Sequence, residues 1–166
     1  MTKFTTRITT LLDGTGVDYR ILPHSEPVFT VTAAAAQRGG RQEEMVKSIL
    51  LRDKNLAYVM ACVTGIDQLD PKLVRAVLSE DWKRLSFASS EEIQAVTGYV
   101  QGAVSPLCLP SEIPVVFDEV IGRCEWVNIS SGDPMAGLEL RAIDLIRLSG
   151  ATLAPIAKAP NSSGEG

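Results

Sequence analysis

Met45-Val46-Lys47-Ser48-Ile49-Leu50-Leu51 and the run from Leu56 to Val63 are two apolar stretches separated by the polar Arg52-Asp53-Lys54-Asn55. Each has strand length, and the polar stretch is long enough to reverse the chain, so the pair predicts an antiparallel hairpin. Upstream, Phe4, Ile8, Leu11 and Leu12 recur at helical spacing over residues 3 to 13, and the pattern stops at Gly14 and Gly16. Val17, Tyr19 and Ile21 then alternate with Asp18 and Arg20, a half-buried strand that Pro23 ends. Thr32 is placed to cap a short helix through Gln37, closed by Gly39-Gly40.

Downstream of the hairpin, Asp70-Pro71 reads as an N-cap with a first-turn proline, and Leu73, Val74, Val77 and Leu78 form the buried stripe of the helix that follows. Leu85-Ser86-Phe87 predicts a short strand. Ser89 with Glu92 is a capping box whose helix stops at Gly98, and a loop runs from there to Pro106. Val115 to Phe117, Trp126 to Ile129, and Leu138 with Leu140 predict further strands. Asp144 to Leu148 predicts a helix ending at Gly150. Helices and strands mix without the regular alternation of a doubly wound sheet. The class is therefore α+β: a curled, mixed, largely antiparallel sheet, barrel-like, with flanking helices. Residues 1–157 read as one domain and 158–166 as a frayed tail.

Composition narrows function. With 22% charged and 45% apolar residues, the chain is neither a disordered polyelectrolyte nor a membrane protein. No apolar run approaches the roughly 18 residues of a membrane span, and polar threonines follow Met1-Thr2-Lys3-Phe4 in place of a signal-peptide core, so a cytoplasmic address is expected. The net charge of −4 argues against coating long nucleic acids electrostatically but leaves room for a local basic patch. Neither a membrane nor a DNA partner is expected. Cys62, Cys108 and Cys124 show no paired spacing, and His24 is the single histidine, so multi-His metal sites are impossible and no metal or cofactor is expected. There is no GxSxG, GxGxxG or GxxxxGK, and His24 reads as a surface residue.

Three places break the local rules. Lys47 falls on the same strand face as Met45, Ile49 and Leu51, where an ammonium loses hydration unless it is paired or opens onto a pocket. Either this face reaches solvent there or the lysine belongs to a site. In Thr97-Gly98-Tyr99-Val100-Gln101-Gly102-Ala103-Val104-Ser105-Pro106, Gly102 either serves a turn or lets backbone N–H groups approach a ligand and hold a developing oxyanion. Asn128-Ile129-Ser130-Ser131-Gly132-Asp133-Pro134 has strong turn chemistry of its own.

Taken together with Gln68-Leu69-Asp70-Pro71-Lys72-Leu73 and with Gly137-Leu138-Glu139-Leu140, these stretches resemble the YbaK-like family. Its members are free-standing aminoacyl-tRNA deacylases related to the editing domain of bacterial prolyl-tRNA synthetase. The resemblance runs from about Val17 to Ile156, and its Gly-Tyr-x-x-Gly-x-x-Ser-Pro stretch is the most specific part. It implies a pocket for the aminoacylated 3′ end of a mischarged tRNA, with a synthetase as a further partner, and ester hydrolysis without metal or covalent intermediate. It also implies an essential strand lysine, Lys47, and a pocket-lining glycine loop at Gly102 with Ser105 and Pro106. Ser131 and Gly132 lie opposite, and Tyr19 and Phe29 are aromatic pocket residues. Ala103 and Cys108 stand where many relatives have glycine, and the segment 132–137 is about one residue longer than in cysteine-specific members, so the departures bear on amino-acid specificity. The residues suit that chemistry: a lysine in a partly dry pocket holds a phosphate or ribose and backbone donors steady the carbonyl, while the resemblance implies attack by water or, as in some members, by the substrate's own 2′-hydroxyl or side chain. The substrate class expected is a small amino acid such as Ala, Cys or Ser on tRNA. The rivals are a non-catalytic module for an aminoacyl-adenosine-like ligand and a purely structural protein.

Overall fold

A computed structural model describes residues 5–27, 33, 34, 36 and 42–158. The first helix, α1 (Arg7–Thr15), begins where the Thr6 side chain accepts from the Ile8 and Thr9 N–H groups while Thr9 answers on the Thr6 N–H. Such a cap is worth about 1 kcal/mol. α1 runs through Gly14, which the sequence takes as a stop, and ends at Gly16, whose φ of 72° supplies the left-handed turn. Strand β1 (Tyr19–Pro23) follows. Ala33, Ala34 and Ala36 of the alanine-rich stretch are helical, and its remaining residues lie outside the described set.

The predicted hairpin forms from β2 (Val46–Arg52) and β3 (Tyr58–Thr64), antiparallel with Lys47 opposite Val63. Buried Asp53 organises its turn, accepting from the N–H groups of Asn55, Ala57 and Lys83. Helix α2 (Pro71–Ala76) starts at Asp70, whose carboxylate accepts from the Lys72 N–H at 3.0 Å. Strand β4 (Ser86–Phe87) precedes α3 (Ser90–Thr97), which carries the predicted Ser89/Glu92 capping box and ends at Gly98. Then come β5 (Val115–Asp118), β6 (Trp126–Asp133), β7 (Ala136–Arg141) and α4 (Ala142–Ser149). The last strand, β8 (Thr152–Ala154), was not expected; its three residues are too short to show a period.

These strands make two sheets, ordered β1-β7-β6 and β4-β2-β3-β5-β8. Pairing is mixed and mostly antiparallel, the β3/β5 and β5/β8 pairs being parallel. The sheets meet where Met45 bridges Asn128. The expected single curled sheet is thus two, and neither closes into a barrel: β6 spends one edge on β7 and touches the β2 side at one residue, while β8 ends the other sheet.

Alternation along β2 sends Val46 and Leu50 into a core shared with Ile8 and Leu12 of α1, Phe117 of β5 and Leu138 and Leu140 of β7. Leu51, with Ile49 beside it, faces a second core containing Val63, Val74 and Leu85. Each fully buried aliphatic side chain contributes about 1.5–3 kcal/mol, which fixes the register of the strand that carries Lys47. His24, expected at the surface, is 6% exposed, and its Nδ1 lies 2.8 Å from the Pro134 carbonyl oxygen because the β6/β7 turn folds over it. The buried carboxylate of Asp118 accepts from the Ile156 and Ala157 N–H groups and fastens the C-terminal segment. Among the described residues no helix is long and apolar enough to cross a membrane.

Candidate functional site

Lys47 sits on the side of β2 that faces the second core and is half-buried. Its ammonium donates to the Asp67 carbonyl oxygen at 2.6 Å, in a turn that Thr64 ties by donating its hydroxyl to the Asp67 carboxylate. It makes no ion pair among the described residues. Burial lowers its pKa below the usual lysine range, and the charge of Asp67 offsets part of that. An ammonium has three donors, so two remain for a ligand.

The other side of β2 borders a cavity of about 260 Å³ whose walls include Ser48, Ile49, Phe87, Ile93, Gln101 and Gly102. Between the Met45 bridge to Asn128 and the Leu51 pairing with Phe87, no strand covers the outer edge of β2 among the described residues. Ile49, on the same side of β2 as Lys47, is among the residues that line the cavity, whereas Lys47 itself is not. Gly102 has φ 89° and is the third residue of a turn closed by the Ala103 N–H on the Val100 carbonyl at 3.0 Å. A positive φ at that position favours glycine. Neither the Gln101 nor the Gly102 N–H donates to an acceptor among the described residues.

The rest of the Gly-Tyr-x-x-Gly-x-x-Ser-Pro loop is internal. The Tyr99 hydroxyl donates to the Leu107 carbonyl at 2.5 Å, and the Arg7 guanidinium lies over its ring at 4.1 Å while also bonding the Thr97 carbonyl. Desolvation pushes the Tyr99 phenol up to about 12, against the opposing effect of Arg7. Ser105 and Pro106 are buried, and the Ser105 hydroxyl accepts from the Leu107 N–H. Cys108 has φ 60°, the left-handed conformation glycine tolerates best, in keeping with the expectation of a glycine position there.

Ser131 and Gly132 meet this loop through Tyr99. A Cβ on Gly132, which has φ 93°, would sit 3.3 Å from the Tyr99 ring. The Ser131 hydroxyl is fully buried and donates to the Ala136 carbonyl at 2.6 Å, which holds the β6/β7 turn, and its own carbonyl accepts from Thr6, which ties the start of α1 to β6. Tyr19 lies elsewhere, on β1, donating to Asp13 at 2.7 Å; that bond and desolvation raise its phenol to about 12. Phe29 lies outside the described residues. The structure therefore joins Gly102, Ser105, Pro106, Ser131 and Gly132 through one loop, puts Lys47 across β2 from its tip, and leaves Tyr19 apart.

Other residues were missed by sequence reasoning. Asn128 is 3% exposed and its Oδ1 has no hydrogen-bond partner among the described residues. Its register neighbours are Glu139, ion-paired with Arg20 at 2.9 Å, and Met45, which shares a strand face with Lys47. A single Asn in a turn-like stretch carries no signal of this; only the bridge between the two sheets brings it there. Ser48 accepts from the buried Cys62 thiol at 3.4 Å, and burial pushes that thiol up to about 12, an inert state for a would-be nucleophile.

A half-buried strand lysine, free backbone donors on a glycine turn and a small cavity beside that turn offer charge and hydrogen bonds to a ligand. The model of the aminoacyl-tRNA editing domain matches residues 25–148, and the chain belongs to that family. It is 27% identical over 143 residues to the prolyl-tRNA editing protein ProX of Acetoanaerobium sticklandii, covering 82% of this chain and 85% of that one. To the multifunctional Ser/Thr-tRNA deacylase ProXp-y of Escherichia coli it is 24% identical over 147 residues, covering 86% of each. The crystal structure of the hypothetical protein APE2540 superposes with a TM-score of 0.83 at 25% identity, over 92% of this chain and all (100%) of that one.

Proposed function

We propose that the protein is a trans-acting aminoacyl-tRNA deacylase that hydrolyses the ester of mischarged tRNA carrying a small amino acid such as Ala, Cys or Ser, without a metal, in the cytoplasm. The observation that carries the reading is Lys47: a half-buried ammonium with one donor used and, among the described residues, no ion pair and an uncovered strand edge beside it. The terminal phosphate or ribose binds at Lys47, and the aminoacyl group crosses the uncovered edge of β2 into the cavity. At about 260 Å³ that cavity falls below the roughly 300–1,000 Å³ of sites for drug-sized ligands, which suits a small side chain. The orphaned Asn128 Oδ1 is an acceptor suited to the substrate's α-ammonium or a hydroxyl.

Water attacks the ester carbonyl carbon and gives up a proton, with the substrate's neighbouring 2′-hydroxyl placed to hydrogen-bond it. The Gln101 and Gly102 N–H groups receive the tetrahedral oxyanion, the bond to the ribose oxygen breaks, and that oxygen leaves with a proton. Such donors contribute most where water is excluded, and Lys47 supplies its charge without needing to transfer a proton. A synthetase that releases the mischarged tRNA would be the natural partner.

The test is a deacylation panel of Ala-, Cys-, Ser- and Thr-charged tRNAs, each run with and without a chelator. Hydrolysis of at least one above its spontaneous rate, indifferent to chelation, is expected. Zinc-restorable loss on chelation would overturn the chemistry, and binding of an aminoacyl-adenosine without turnover on any tRNA would establish a non-catalytic binding module instead.

A further inference from the structure

Around α2 and β4 lies a trough made of three adjoining depressions of about 560, 560 and 400 Å³. The first and second share Pro71, Arg84 and Leu85, and the second and third share Lys72 and Arg75. Its charged lining is Arg52, Lys54, Lys72, Arg75, Arg84 and Lys158 against Asp70 and Glu80. Six of the sixteen Lys and Arg residues thus meet two of the twenty Asp and Glu residues on one surface, inverting the chain's net charge of −4. Arg52 is ion-paired with Glu92 at 2.9 Å and the Asp70 carboxylate is engaged with the Lys72 N–H. Lys54, Lys72, Arg75, Arg84 and Lys158 are exposed and make no ion pair among the described residues.

The trough adjoins the candidate site. Phe87 lines both its first depression and the cavity that holds Gly102, and it is 60% exposed on the two-residue edge strand β4. Burying an aromatic ring on the solvent side stabilises the fold little, whereas an open ring beside a basic groove is how proteins hold single-stranded nucleic acid, with bases stacked on the ring and phosphates on the cations. An acidic peptide would match the charge but has no planar group for the ring at the cavity mouth.

We propose that this trough holds the phosphate backbone of the tRNA acceptor end, with an unpaired base of the 3′ terminus stacked on Phe87 and the aminoacylated end passing into the cavity. The proposal rests on the deacylase reading and names the surface that receives its substrate. Because Lys72 and Arg84 stand off the cavity, they act on tRNA capture and not on the ester.

The experiment uses the full chain. Binding of uncharged tRNA and of a short single-stranded RNA ending in CCA is measured against salt for wild type, a Lys72→Ala/Arg84→Ala double variant, Phe87→Ala, and an Arg123→Ala/Arg147→Ala control with the same charge change outside the trough. Each phosphate contact contributes roughly 0.7–0.9 to the slope of log affinity on log salt, so the trough variant should lose roughly 1.4–1.8 of slope while the control keeps it. Phe87→Ala should bind the RNA about tenfold more weakly. In single-turnover deacylation the trough variant should need more tRNA to reach an unchanged maximal rate, and should hydrolyse a minimal aminoacyl-adenosine ester as wild type does. Wild-type affinity and slope in the trough variant, or an equal loss in the control, overturns the surface. If wild type hydrolyses neither the charged tRNA nor the minimal ester, the deacylase reading fails, and the binding arms still judge the trough.

Discussion

Lys47→Met separates site from scaffold, because the terms that govern stability nearly cancel while the one that governs catalysis does not. In the fold the change removes a charged hydrogen bond to the Asp67 carbonyl, worth about 1.5–3 kcal/mol. It also removes the opposing cost of holding an ammonium half out of water, the burial effect that lowers its pKa. The methionine chain covers the same apolar neighbours as the lysine stem. The net should stay within about 1 kcal/mol, or about 2–4 °C of Tm for a chain of this size. Loss of a charge that stabilises the transition state should instead cost about 10²–10³ in rate. Thermal unfolding and single-turnover deacylation on one preparation read both numbers. A folded Lys47→Met protein that turns over at near wild-type rate would refute the assignment.

The same residue sets two pH dependences. Its folded pKa lies below the unfolded value, so between the two the unfolded chain binds more protons and stability rises with pH. The penalty is therefore present at neutral pH and fades as pH climbs through the folded pKa, and Lys47→Met should lack this rise. Activity runs the other way: it needs the ammonium charged, so after subtracting spontaneous hydrolysis it should fall on an alkaline limb centred below the ordinary lysine value of 10.5.

Gly102→Ala places a Cβ at φ 89°, so it should destabilise by about 1 kcal/mol whatever the role of the loop. The rate of the folded fraction decides: a drop of about 10²–10³ supports backbone donation to the oxyanion, and an unchanged single-turnover rate reduces Gly102 to a turn residue. Tyr99→Phe strips the Leu107 carbonyl of its buried donor and should cost about 1–3 kcal/mol in denaturant unfolding; no loss of stability would show that the loop is held by Arg7 packing alone.

The elements that the sequence revealed are those with local causes. The β2/β3 hairpin, the Asp70-Pro71 start and the Ser89/Glu92 box each depend on residues a few positions apart, and each forms where expected. Lys47 was legible for the same reason, as a charge that breaks a period of two. What stayed hidden depends on distant chain. His24 is buried by a turn more than a hundred residues away, and β8 exists because β5 offers an edge.

Ser131 shows how a motif can point at the right loop and the wrong atom. Its hydroxyl is spent on the Ala136 carbonyl, shaping the turn that seats Gly132 against Tyr99. Among the described residues, a buried side-chain acceptor without a partner on that strand belongs to Asn128, three residues back and paired in register with Glu139. The serine therefore shapes the turn, and the asparagine keeps a buried acceptor unused among the described residues. Cys108 fits the same logic: a position that demands a left-handed backbone, filled by a side chain at about 1–2 kcal/mol, puts a half-buried thiol beside the Arg7 carbonyl. Substitutions behind the loop can thus move Gly102 and Gln101 without touching the ligand, which is where differences in amino-acid choice among such pockets can arise while the lysine and the chemistry stay fixed.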